Sequence, residues 1–303
     1  MHQQKYLIVI GGPTASGKTN MAIRVAQHFN TSILSADSRQ FYREMAIGTA
    51  KPTPEEQSQV KHHFVNSLSI HDDYSVGDFE KEAIVLLDQI FQQQNFAVMA
   101  GGSGLFVKAV CEGLDKFPVV SNEIKEKWNQ LFEENDIQFL QDKLAQIDPD
   151  YFKIDDKENP RRLMRAISVH EVSGTPFSDF RNQPKPKRNF TPIYLYLKKE
   201  RTQLYEDINT RVDLMMKEGL EKEVTGLKSH LHLNALQTIG YREFVPYFNN
   251  EATLEQVADK IKQHTRNYAK RQMTWYRGQD GWSEIGNGDF EGAIEVIKQR
   301  INN

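Results

Sequence analysis

The stretch YLIVIGGPTASGKTN, Tyr6 to Asn20, decides the fold class of this 303-residue chain. Tyr6–Ile10 is a short continuous apolar run, the pattern of a strand buried on both faces, and Lys18 to about His28 has helical periodicity. Between them Gly12, Pro13, Thr14, Ala15, Ser16, Gly17, Lys18 and Thr19 satisfy G-x-x-x-x-G-K-[ST], in the strand–loop–helix setting that a phosphate-binding loop needs. The glycines let backbone N–H groups turn inward around an anion. The helix N-terminus adds partial positive charge, Lys18 a point charge, and the Thr19 hydroxyl suits Mg²⁺.

Further buried strands follow at Ser32–Ser35 and Phe96–Ala100, separated by a helical stretch from about Ser75 to Gln93. Strands alternating with helices predict an α/β fold, a P-loop-like core with a parallel sheet covered on both faces. From Ser121 to about Val172 the periodicity is helical only, broken at Pro149 and Pro160. Gly174–Pro192 reads as a returning linker, Ile193–Leu197 as a strand rejoining the sheet, and the remainder as mainly helical, clearest over Tyr205–Leu227 and Leu254–Arg277. The reading is a core of residues 1–117 and 186–303 interrupted by a helical insertion at 118–185.

Composition narrows the class. Apolar residues make up 39% and charged residues 26%, with a net charge of −3, a balance that is silent about partners because a local basic face can sit on an acidic protein. The single cysteine, Cys111, excludes an internal disulfide and a multi-cysteine zinc site, and reads as a small packing residue. No secretory signal opens the chain and no apolar run is long enough to span a bilayer. The expectation is a cytoplasmic monomer without a membrane partner.

An absence is as informative as the loop. P-loop ATPases hold Mg²⁺ with an acidic residue at the end of another buried strand, but the strand at Phe96–Ala100 runs into Gly101-Gly102. The strand at Ser32–Ser35 does end near a carboxylate, Asp37 in SADSRQFY. At a strand's C-terminal end Asp37 faces the ligand crevice of an open α/β sheet, where it would bind Mg²⁺ or act as a base. Locally it reads equally as a helix N-cap ahead of Ser38, Arg39 and Gln40. Two basic stretches suit a phosphate backbone: Arg161, Arg162 and Arg165 on one helix face opposite Leu163 and Ile167, and a stripe of Lys262, Arg266 and Lys270 extended by Arg271 and Arg277. Arg211 follows Asp207 by four residues and could form a surface ion pair. His62, His63 and His71 read as solvated loop residues.

Together these segments resemble one family, the tRNA dimethylallyltransferases, also called tRNA isopentenyltransferases. GGPTASGKT is its version of the loop. SADSRQFYREMAIGTAKPT, AGGSGLFVKAVCEGL and ENPRRLMRAISVHEVSG are similar to further segments of the family, as are RVDLMMKEGLEKEV, LQTIGYREF and KRQMTWYR. Ser103 stands where threonine is usual and keeps the hydroxyl, whereas Phe106 replaces a tyrosine. Arg39 stands where methionine is frequent, which suggests an added phosphate contact. The zinc finger of eukaryotic members is missing, as in the bacterial type.

The resemblance implies transfer of a dimethylallyl group from dimethylallyl diphosphate to N6 of the adenosine next to the tRNA anticodon. It makes Asp37 the base and places the diphosphate on Gly12–Thr19, with Lys18, Arg211 and Mg²⁺ near Thr19. It assigns tRNA contacts to Asp37, Ser38, Arg39, Gln40 and Ser103, and to Arg161, Arg162, Leu163, Met164 and Arg165 of the insertion, which would grip the anticodon stem. Further contacts fall on Gln237, Thr238, Ile239, Gly240, Tyr241 and Arg242, and on Lys270, Arg271, Gln272, Met273, Thr274, Trp275, Tyr276 and Arg277. Rival readings are an adenylate isopentenyltransferase acting on free AMP or ATP, a P-loop small-molecule kinase, and a non-catalytic RNA-binding module.

Overall fold

The computed structural model describes residues 4–154 and 157–302. Six strands among them form one sheet: β1 Tyr6–Gly11, β2 Ile33–Ser35, β3 His62–His63, β4 Phe96–Gly101, β5 Thr191–Lys198 and β6 Ser283–Gly286. Their order is β3-β2-β4-β1-β5-β6, and every neighbouring pair is parallel. The helices are α1 Lys18–His28, α2 Pro54–Gln59, α3 Val76–Gln93, α4 Gly104–Glu112, α5 Asn122–Glu134, α6 Ile137–Ile147 and α7 Pro149–Ile154. They continue with α8 Pro160–Ser173, α9 Arg201–Lys217, α10 Leu220–Gly226, α11 Val245–Phe248, α12 Leu254–Arg277 and α13 Phe290–Asn302. This is the parallel P-loop-like α/β fold that the opening stretch requires.

All six residues of β1 are buried because it lies between β4 and β5 with helices on both faces. Alternation along the strand sorts its side chains. Ile8 and Ile10 pack with Met21, Ala22 and Val25 of α1, while Leu7 and Val9 pack with Phe79, Ala83 and Leu87 of α3. Helices start where the local chemistry favours them. Ser75 and Asp78 form a capping box at α3, and the Asn159 side chain caps α8 with Pro160 at its first turn.

The chain divides into two compact units, residues 1–112 with 188–303, and residues 113–187. The second has its own core, with Trp128, Leu140, Leu144, Leu163, Ile167 and Phe177. Its buried Asp148 accepts the Tyr151 N–H at 3.0 Å, the Ser178 N–H at 2.7 Å and the Ser178 hydroxyl at 2.8 Å. In the first unit a further apolar cluster, including Met45, Val212, Leu236, Tyr241, Phe244 and Ile261, joins α9, α10 and α12.

Three local readings need correction. His62 and His63 form an edge strand, where His62 Nδ1 bonds the Val60 carbonyl at 2.8 Å and His63 Nε2 the Ser32 hydroxyl at 3.2 Å. Tyr205–Leu227 is two helices, because Gly219 at φ +102° breaks the run between α9 and α10. Strand β6 went unread because only Ile285 of its four residues is buried, too little apolar signal to register.

Candidate active site

The loop after β1 is shaped by backbone conformations at two positions. Ala15 and Gly17 turn at φ +61° and +83°, and Gly17 opens α1 without a side-chain cap. The first amides of the helix are thereby left for an anion. Lys18 Nζ donates to the Pro13 carbonyl at 2.6 Å. Burial pulls its pKa down from 10.5 to about 8, with the Asp37 charge acting upward and the Arg211 charge downward. These three charged groups therefore share one neighbourhood. The Ser16 hydroxyl is buried in the loop with no hydrogen-bond partner among the described residues.

The end of β4 explains the missing acid. A Cβ on Gly101 would lie 2.1 Å from the Ala36 carbonyl oxygen, and one on Gly102 would lie 2.3 Å from Gln272 Nε2. No carboxylate-bearing residue fits there. Gln272 of α12 instead ties the two strand ends together, accepting the Thr14 N–H at 2.8 Å and donating to the Gly102 carbonyl at 2.9 Å. Tyr276 donates to the Gly101 carbonyl at 3.2 Å.

Asp37 does not cap a helix. Residues 38–41 form a turn, and one Asp37 oxygen accepts the Arg39 N–H at 3.0 Å. The Ser103 hydroxyl accepts the Ser38 N–H at 3.3 Å, so the hydroxyl kept at position 103 helps to hold the Asp37 turn. Arg211 likewise leaves its local partner. Asp207 pairs with Lys199 and accepts a bond from Gln203 at 2.9 Å, whereas Arg211 Nη1 donates to the Thr14 hydroxyl at 3.3 Å.

Two hollows meet at these residues. The larger, about 640 Å³, is lined by the loop from Thr14 to Asn20, by Lys51, and by Met215 of α9. The smaller, about 310 Å³, is bounded by Ser38, Arg39, the segment 237–240, Arg242 and Arg271, with an apolar wall of Ile208, Val212, Ile239 and Ile261. Thr14, Asp37, Thr49, Ala50, Arg211 and Tyr268 line both. A carboxylate, Asp37, and a half-buried cation, Arg211, thus stand where the loop-lined hollow adjoins a partly apolar chamber.

The other expected site residues separate by burial. Arg161, Arg162 and Arg165 of α8 are exposed, Met164 is half-buried and Leu163 is core. Lys270, Arg271, Thr274 and Arg277 of α12 are exposed. Tyr241, Gln272 and Tyr276 are buried, and their side chains serve internal contacts. Trp275 packs its ring on Gly104, where a Cβ would approach to 2.7 Å, while Met273 is half-buried against Leu204 and Ile208. Two members of the expected basic stripe on α12 are spent on contacts within the fold. Lys262 pairs with Asp213 at 2.7 Å and Arg266 donates to Asn209 at 2.6 Å. Arg39 donates to the carbonyls of Asn234 and Ala235, both at 3.0 Å, and Gln40 bonds Ser35 and the Ala50 carbonyl. Gln237 Nε2 donates to the Leu231 carbonyl at 2.6 Å. Cys111 is buried, its thiol pushed up to about 12 by burial.

Sequence reading missed three contributors. Tyr268 lines both hollows, and burial followed by the Asp37 charge pushes its hydroxyl up to about 12. Lys51, inside a quoted segment but given no role, faces the larger hollow; it donates to Asn66 at 2.7 Å, and burial lowers its pKa to about 8. Glu223 binds three backbone amides. Only the need of a half-buried charge for partners could have hinted at the last two.

A family model described as IPP transferase matches residues 40–279. The chain belongs to the IPP transferase family. Relatives also cover the phosphate loop and Asp37, which precede the matched span. The tRNA dimethylallyltransferase of Christiangramia forsetii is 48% identical over 299 residues, 98% of this chain and 99% of that one. The protein of the same name from Flavobacterium psychrophilum is 45% identical over 304 residues, again covering 98% and 99%. Among solved structures, the full-length tRNA isopentenylpyrophosphate transferase of Bacillus halodurans aligns with a TM-score of 0.71 and 33% identity, over 99% of this chain and 96% of that one. A eukaryotic dimethylallyltransferase acting on tRNA aligns with a TM-score of 0.80 and 25% identity, over 98% and 77%. Family membership and the α/β architecture therefore agree with the site's geometry. Among the described residues, no helix is long and apolar enough to cross a membrane.

Proposed function

We infer that this protein transfers a dimethylallyl group from dimethylallyl diphosphate to N6 of the adenosine 3′-adjacent to the tRNA anticodon. The products are N6-isopentenyladenosine and diphosphate. The observation that carries this reading is the shared wall: Asp37 and Arg211 stand between a phosphate cradle and a second chamber, with glycines where an ATPase would carry its acid.

The chemistry follows from the residues. The N6 lone pair is delocalised into the purine ring, so the amine is a weak nucleophile. Asp37 accepts a hydrogen bond from N6 and takes its proton as the nitrogen–carbon bond forms and the carbon–oxygen bond to diphosphate breaks. Negative charge then grows on the bridging oxygen. Loop amides, Lys18 and Arg211 stabilise it, donors that are individually worth roughly 10²–10³-fold in such sites. The unpartnered Ser16 hydroxyl and the Thr19 side chain in the larger hollow fit a diphosphate with its metal ion. Thr19 would hold Mg²⁺, which supplies charge neutralisation of the leaving group. The apolar side of the smaller hollow keeps water from the reacting carbon.

The adenosine must leave its stack to reach Asp37, which costs less in a partly unpaired anticodon loop than in a duplex. Exposed Arg161, Arg165, Lys270, Arg271 and Arg277 suit the tRNA backbone, and the protein acts as a cytoplasmic monomer. One assay tests the function: radiolabelled dimethylallyl diphosphate is supplied with tRNA, AMP or neither, without ATP. Label enters tRNA. Label in AMP instead identifies an adenylate isopentenyltransferase, and no transfer to either acceptor refutes prenyl transfer altogether.

A further inference from the structure

Two segments that bound the smaller hollow hang from one carboxylate that lines neither hollow. Glu223 of α10 accepts the amide N–H groups of Ala46 at 3.0 Å and Ile47 at 2.8 Å on one oxygen. Its other oxygen accepts the Gly48 N–H at 3.1 Å and the Tyr241 hydroxyl at 2.7 Å. Four donors match the roughly four lone-pair sites of a carboxylate. The contact is close on both sides. The Tyr241 ring is wholly buried and lies on Gly48, where a Cβ would come within 2.6 Å of it. Gly240 turns at φ +96°, and a Cβ there would stand 3.3 Å from the Gly48 carbonyl oxygen. Both glycines are required by this approach, one by space and one by conformation.

The clasp ends where the chemistry begins. Thr49 and Ala50, directly after the clasped amides, line both hollows beside Asp37 and Arg211, and Gly240 and Arg242 flank Tyr241 in the smaller one. Lys51 is next in the chain, and the Glu223 charge acts on its amine.

We propose that Glu223 is a positioning residue for prenyl transfer, holding residues 46–50 and 240–242 as a single wall against the Asp37–Arg211 boundary. The proposal rests on the transferase function inferred above. A carboxamide of the same shape would test it, because its NH₂ group must face amide N–H donors and loses their bonds.

The test is a single-turnover measurement with the full chain in excess over tRNA and saturating dimethylallyl diphosphate. In Glu223→Gln the rate constant falls about 10- to 100-fold, the range for reacting groups misplaced by about an ångström. Amplitude and tRNA binding stay as in the unsubstituted chain. A purely structural role lowers the amplitude or the melting temperature and leaves the rate constant unchanged, which overturns the proposal. Should Glu223→Gln fail to fold, Tyr241→Phe decides: it keeps the three amide bonds and frees only the second segment. A fall of about threefold or more in its rate constant supports the clasp, and an unchanged one overturns it. The unsubstituted chain run alongside separates the two inferences. Absence of transfer there refutes the transferase function itself, whereas transfer at full rate in the variants refutes only the role of Glu223.

Discussion

The two hollows on either side of Asp37 and Arg211 share walls but differ in what each is built on. The larger is built on one contiguous run, Thr14 to Asn20, joined by the Asp37 turn, residues 46–56, α9 and α12, whereas the smaller has no such run and draws on the Asp37 turn, residues 48–50, α9, the segment 237–242 and α12. A contiguous cradle needs only local backbone geometry, two positive φ angles and a helix N-terminus. A chamber assembled from five places needs tertiary fasteners such as Gln272, Ser103 and Glu223. The Asp37–Arg211 boundary belongs to both, so perturbing it, then one side of it, breaks the comparison in order of effect.

Asp37→Ala strikes the shared wall and should be the most damaging change. Single-turnover prenyl transfer to tRNA is expected to fall by at least ~10²-fold, the lower range for loss of a general base, with tRNA binding retained in a filter or fluorescence titration. Unchanged turnover would remove Asp37 from the mechanism. Arg211→Gln removes the cation on the cradle side. Its kcat/KM for dimethylallyl diphosphate should fall ~10²-fold while the melting temperature holds, because Asp207 is already paired with Lys199. A large thermal loss with normal turnover would return Arg211 to a structural role.

The smallest effect expected is on pH, and it has two opposed parts. The pKa of Lys18, lowered to about 8 by burial, means that the free cradle loses its charge as pH rises through 8. The KM for dimethylallyl diphosphate should therefore rise above that pH, whereas the smaller hollow has no such group and the KM for tRNA should respond less. Stability runs the other way. Between about 8 and the ordinary 10.5 the unfolded chain binds more protons at this site than the folded one, so resistance to denaturant from this group increases with pH across that window. Lys51, also lowered to about 8, adds in the same direction. A donor KM that stays flat from pH 7 to 9.5 would contradict the buried-lysine account.

How much of this was legible in the sequence depends on how far each feature reaches along the chain. The P-loop, the strands β1, β2, β4 and β5 and the helical character of residues 121–172 follow from local periodicity and turn chemistry, and all are present. Burial on α8 was equally readable, since arginines alternate with apolar residues at helical spacing. On α12, Lys262 and Arg266 look the same in sequence whether they meet water or α9, and only the neighbouring Asp213 and Asn209 make the difference. Arg211 shows the same ambiguity, with Asp207 four residues away and Thr14, the partner it takes, 197 residues distant along the chain.

The sequence by itself therefore determined the fold class and the strand–loop–helix geometry of residues 6–28, because both are written in neighbouring residues whose backbone preferences suffice. It also carried a resemblance that named the chemistry. Tertiary structure alone decided why β4 ends in glycines, how Asp37 and Arg211 come to face one boundary, and what fastens the second chamber. Each of those depends on close approach between distant segments: the Ala36 carbonyl against Gly101, Gln272 across two strand ends, Tyr241 upon Gly48. Contacts of that kind leave no periodic trace in a chain, since a single buried side chain satisfies them from any position that the fold brings near.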